Sequence, residues 1–84
     1  MDYQNHFNAT LGKCFMLETW RGTGINLGIT EHRIWDVYEN TKLAEVESVS
    51  GPDYNLCVIN GATGCTHQQF SDFVNTRMET NLNY

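Results

Sequence analysis

Short apolar runs alternate with polar turns along most of this chain, and the spacing of the apolar positions changes from strand-like to helical near its end. "KCFMLETW", Lys13 to Trp20, places Phe15 and Leu17 on one side of an extended strand and Cys14, Met16 and Trp20 on the other. Apolar residues on both sides predict a central strand. The two glycines of "RGTG" then mark a loop or a hairpin end. "GINLGI" sets Ile25, Leu27 and Ile29 at period two, which predicts a half-buried strand continuing to about Ile34. In "TEHRIWDVYEN" the positions of Ile34, Val37 and Tyr38 have helical spacing. Thr30 or Asp36 could cap there and Asn40 could take the left-handed conformation, so one or two helical turns are expected at about 35–40.

"KLAEVESVS" alternates Ala44 and Val46 with Glu45 and Glu47, predicting a strand with a solvated outer face. Pro52 lies in "SVSGPDY", where Gly-Pro-Asp is a turn signal. "YNLCVIN", Tyr54 to Asn60, has Leu56 and Val58 on one side and Cys57 and Ile59 on the other. Helical periodicity is clearest at the end. Thr66 and Gln69 fit a capping box, and Phe70, Phe73, Val74 and Met78 form an apolar stripe, predicting an amphipathic helix near 66–80 that runs into the polar tail "TNLNY".

The order β, β, helical turn, β, β, α predicts an α+β domain: an antiparallel sheet of about four strands with one C-terminal helix packed on it. A single helix covers a single sheet face. Cys14, Met16 and Trp20, with Trp35 or Ile59, would remain on the other, where a second copy or another partner is expected to cover them, the alternative being that the long loops fold over them. Met16, Trp20, Trp35 and Tyr38 are the candidate interface residues. Alternatively, Trp20, Trp35 and Tyr38 could line a small pocket and stack on a flat ligand, in a carrier or an enzyme.

Composition narrows the function classes. The 84 residues suffice for one domain, 1–84, and a chain of this length buries only roughly 60 to 65% of its unfolded surface. Net charge is -5, and the five cations Lys13, Arg21, Arg33, Lys42 and Arg77 are dispersed. Nucleic acid and anionic membrane surfaces both require clustered cations, so neither is an expected partner. No apolar run approaches the roughly 18 residues of a membrane span, and "MDYQNHFNAT" lacks the basic and apolar regions of a signal peptide. As written, the chain is expected to be cytoplasmic.

Candidate chemistry is sparse. Of Cys14, Cys57 and Cys65, at most two can pair within the chain. Cys57, Cys65 and His67, with Cys14, offer zinc-ligating atoms, yet C-x7-C-x-H lacks the close ligand pair of a zinc knuckle. A disulfide or packed thiols are the alternatives, and no metal or cofactor is expected. Cys65 precedes a predicted helix start, where a thiol is acidified, but none of His6, His32 and His67 is tied to it as a base. Glu31, Asp36, Glu39, Glu45 and Glu47 read as solvated carboxylates rather than a catalytic pair. "RGTGINLG" lacks both phosphate-loop spacings, and Asn8-Ala9-Thr10 matches a glycosylation sequon as chance allows. These observations favour a non-enzymatic binding or interaction module.

Four segments together, "HFNATLGKCFMLETW", "IWDVYENTKLAEV", "LCVING" and "CTHQQFSDFVNTRME", resemble a family of small bacterial proteins, usually exported, for which no activity is established. In that family a "YN..L.KCF" strand leads to a "LWDVYE" turn, an "A-E" strand, a "C-x-V" strand and a "C-x-S-x-x-E-F" helix start. His67-Gln68-Gln69-Phe70 departs from the last motif but retains a capping side chain in Gln69. The resemblance implies the same element order and pairs Cys57 with Cys65 in an oxidising, periplasmic or secreted setting. It leaves Cys14 without the upstream cysteine that family members carry. A short form without an export signal would also fit a mobile gene-cassette product.

Overall fold

The computed structural model describes residues 2–26, 28–49 and 55–84. Among these residues six strands follow one another: β1 (Asp2–Asn8), β2 (Lys13–Arg21), β3 (Thr30–Asp36), β4 (Thr41–Ser48), β5 (Leu56–Ile59) and β6 (Ala62–Thr63); helix α1 (His67–Met78) comes last. Each strand pairs antiparallel with the next, in the spatial order β1-β2-β3-β4-β5-β6. The α+β class and the C-terminal helix match the sequence reading, but the sheet has six strands rather than about four.

The two additional strands have different causes. β1, "DYQNHFN", is mostly polar and carries no strand-like apolar pattern, yet all seven of its residues pair with β2. Pairing with a strongly patterned neighbour overrides its weak propensity. β6 follows a two-residue hairpin in which Asn60 and Gly61 adopt φ of 50° and 82°, the left-handed pair that an Asn-Gly turn favours.

Two other expectations are corrected. The helical turns expected at 35–40 do not form: β3 continues through Asp36, and residues 37–40 reverse the chain into β4 with Asn40 at φ 51°. Pairing of Trp35 with Met16 and Lys42 holds this stretch extended, and Asp36 Oδ1 accepts the Glu39 N–H at 3.2 Å to close the turn. The strand expected from Ile25 is instead a 3-10 turn at Gly24–Asn26, with pairing only from Thr30. Gly28 has φ +95°, and a Cβ there would lie 3.0 Å from the Val49 carbonyl oxygen, so glycine is required. The Gly-Pro-Asp turn at 51–53 and the expected strand start at Tyr54 lie outside the described residues.

The core lies between one sheet face and α1. Phe15 and Leu17 of β2, Ile34 of β3, Ala44 and Val46 of β4 and Cys57 of β5 are buried against Phe70, Val74 and Met78. Each large side chain buried this way contributes about 1.5–3 kcal/mol. A register shift after Ile34 leaves Leu43 without a partner on β3, and Leu43 packs against the core.

The helix starts as expected: Thr66 Oγ1 accepts the Gln69 N–H, and the Gln69 side chain accepts the Thr66 N–H. At its other end buried Asn8 donates to the carbonyls of Thr76 and Arg77, supplying partners that terminal helix carbonyls lack. Asn8 Oδ1 also accepts the Leu11 N–H, so one side chain joins the β1–β2 turn to the end of α1.

Candidate functional site

Among the described residues no helix lies over the sheet face away from α1, and the strand register organises its side chains into rows. Opposite residues of an antiparallel pair share a face, so the rows can be traced from β1 to β5. One row runs Asn5, Met16, Trp35, Lys42. The next runs Tyr3, Glu18, Arg33, Glu45, Val58, and beyond it lies Trp20, Glu31, Glu47, Leu56. Phe7 and Cys14 form a short row at the first end.

The middle of this face is ionic. Arg33 donates from Nη1 to Glu18 at 3.1 Å, from Nη2 to Glu31 at 2.5 Å and from Nε to Glu45 at 2.5 Å, while Lys42 lies 3.3 Å from Glu45. The hydrogen bond to Glu45 is the main reason that Arg33 is held more firmly protonated than usual. Partial burial opposes the Glu45 charge, but the bonds from Arg33 and Lys42 outweigh it and keep this carboxyl below its usual range. Glu47 moves the other way. A hydrogen bond with Glu31, its cross-strand neighbour, raises it, and burial adds to the effect.

Glu45 and Glu47 therefore do not form the solvated face expected from their alternation. They are half-buried members of a carboxylate cluster around one guanidinium. The available signal was Arg33 itself, in phase with Glu31 along β3, but only the register brings Glu18 and Glu45 to it.

The Phe7 end is apolar. Met16 and Trp35 are direct cross-strand neighbours, Cys14 is a half-buried free thiol, and Phe7 is 55% exposed. The Trp35 indole N–H is buried with no hydrogen-bond partner among the described residues. Tyr38, 65% exposed, lies in the β3–β4 turn at this end. Trp20 is four residues beyond Met16 on β2, roughly 13 Å along the strand and past the Arg33 row. Of the four candidate interface residues, Met16 and Trp35 are adjacent, Tyr38 lies near their end and Trp20 does not. A pocket shared by Trp20, Trp35 and Tyr38 is not assembled.

On the helix-covered face, Asp36 was also expected to be solvated but is 1% exposed. Lys13 donates to it at 3.0 Å and lies 3.7 Å from Glu39. That hydrogen bond holds the Asp36 carboxyl low against the opposing effect of burial. Burial also keeps His32 below its usual 6.5, beside Thr19 Oγ1 at 3.1 Å and the Tyr84 ring.

Cys57 and Cys65 lie at disulfide distance, with their Cα atoms 5.1 Å apart. The pair ties β5 to the residue preceding the Thr66 cap. Paired in this way, Cys65 offers no thiolate for nucleophilic chemistry. Cys14 is on the opposite sheet face from Cys57, so Cys14 does not join Cys57, Cys65 and His67 in one group. Among the described residues, no three His, Cys, Asp or Glu side chains form a group able to hold a metal ion, and no helix is long and apolar enough to cross a membrane.

No protein-family model matches the chain, and no curated protein or solved structure matches it at a significant level. The class is thus defined by fold and surface alone: a small α+β meander with one helix-free face, half apolar and half acidic.

Proposed function

We propose that the protein is a non-enzymatic interaction module that acts as a homodimer, with its helix-free face as the contact surface. The observation that carries this reading is the apolar end of that face, where Phe7, Cys14, Met16 and Trp35 lie together with no covering element among the described residues. Charge favours a second copy seated off-centre. Glu18, Glu31, Glu45 and Glu47 outnumber Arg33 and Lys42, so two such faces repel where their ionic rows overlap. A two-fold axis through the apolar end brings Met16 and Trp35 of both copies together and leaves the ionic rows at the rim.

The dispersed cations are engaged locally, Lys13 with Asp36, Arg21 with Asp2, Arg33 and Lys42 with glutamates, and Arg77 over the Phe73 ring. That argues for a protein partner rather than a nucleic acid. The Cys57–Cys65 pair favours an oxidising compartment, in agreement with the exported proteins that the chain resembles.

Light scattering at micromolar concentration tests the assembly. Two or more copies of the 9.6 kDa chain are expected; a clean monomer with solvent-exposed tryptophan emission contradicts the proposal.

A further inference from the structure

The sheet ends in two unlike edges. β6 is only two residues long, follows a tight hairpin and lies beside the cysteine pair. Such short edges offer little to another strand. β1 is seven residues long and runs along β2 in unbroken register. Its outer edge presents alternate N–H and C=O groups that no described strand pairs. The devices that usually block an edge are missing from it: "DYQNHFN" has no proline, no lysine and no bulge, and its one formal charge is Asp2 at the start.

We infer that the β1 edge is a second self-association surface, onto which β1 of another copy adds antiparallel, merging two sheets into one. The sequence identifies the occupant, because the strand is complementary to itself about Asn5. In full overlap, Asp2 faces Asn8 of the second copy, Tyr3 faces Phe7, Gln4 faces His6 and Asn5 faces Asn5. All seven residues pair, no like charges are opposed, and two aromatic pairs cover Tyr3 and Phe7, which are 68% and 55% exposed in the single chain.

The helix permits this arrangement. Its end is fixed over the Asn8 end of β1 by the Asn8 bonds and by His6 with Glu79 at 2.7 Å. The two-fold axis places the second helix end at the opposite end of the joined strands, about 20 Å away. The main-chain edge of β1 makes this contact, and the Tyr3 and Phe7 rings that it brings together belong to the border of the helix-free face. It does not depend on the proposed function, and the two contacts together close into a tetramer where their two-fold axes cross at right angles.

Asn5→Cys in a Cys14→Ser background tests the inferred register in the full chain. Two facing Asn5 positions lie about 4.5–5.5 Å apart between Cα atoms, within disulfide reach, whereas two Tyr3 positions are roughly 14 Å apart. Under air oxidation at micromolar concentration, the Asn5→Cys chain should form a covalent dimer at least about tenfold faster than a Tyr3→Cys chain in the same background. Equal rates, or no dimer from Asn5→Cys, overturn the inference. The wild-type chain gives an independent test: hydrogen exchange at β1 amides should slow as concentration rises, and concentration-independent exchange at β1 likewise overturns it.

Discussion

β2 and β3 present Phe15, Leu17 and Ile34 to the helix and, one residue out of phase, Met16, Glu18, Arg33 and Trp35 to the other side. On the covered side these three apolar residues are buried, and the polar groups that accompany them, Asn8, Asp36 and Ser71, have intramolecular partners. On the open side no described residue is fully buried, the charges are gathered around one arginine, and an indole N–H has no acceptor among the described residues. The same strands thus supply a finished interior and an unfinished one. Among the described residues one α-helix covers one of the two faces, which places stability on the covered side and, in the proposed dimer, association on the other.

Substitutions on the covered face should reduce stability. Phe70→Ala removes a ring with no solvent exposure and should cost about 3–5 kcal/mol in urea unfolding, much of what so small a domain possesses. Changing Cys57 and Cys65 together to Ser should cost about 2–3 kcal/mol by the loop-entropy model for a separation of eight residues. Thermal unfolding of the wild type with and without reductant should give the same loss; no change on reduction would show that the pair is not bonded. Asn8→Ala, which abandons two helix carbonyls and the Leu11 N–H, should cost about 1–3 kcal/mol.

The smallest effects distinguish the faces by pH. His32 on the covered face is held below its usual 6.5, so its contribution is present above that value and declines as pH falls through the lower folded value. Glu47 on the open face is raised above its usual 4.5, so its contribution is full below 4.5 and lost as pH rises through the folded value. Glu47→Gln, which removes the repulsion from Glu31, should therefore raise the unfolding midpoint slightly at pH 7 and lose this advantage under acid. A uniform shift at both pH values would contradict the pairing.

The helix, its capping box and the alternation in β2 and β4 were legible because their signals are local: a repeat of 3.6 or 2 and a Thr-x-x-Gln spacing. β1 was not legible, since its polar residues are held by β2 and its key side chain, Asn8, binds residues 68 and 69 positions away. β6 was legible in principle through Asn60-Gly61, a recognised hairpin signal. At the candidate site, the sequence indicated that Met16 and Trp20 share a face and that the carboxylates of β4 point away from the core. It could not place Trp35 beside Met16 or Glu18 beside Arg33, because cross-strand register is a property of the assembled sheet.

Met16→Lys addresses the division between the faces most directly. Met16 is half-buried at the centre of the apolar end, where a lysine stem can lie along the sheet with its charge in water. Sedimentation equilibrium of wild type and variant, beside their urea unfolding, reads association and stability separately. The variant should have half the assembled mass of the wild type at the same micromolar concentration, with stability changed by less than about 1 kcal/mol. An unchanged assembled mass in a folded Met16→Lys chain would contradict the assignment of association to the helix-free face.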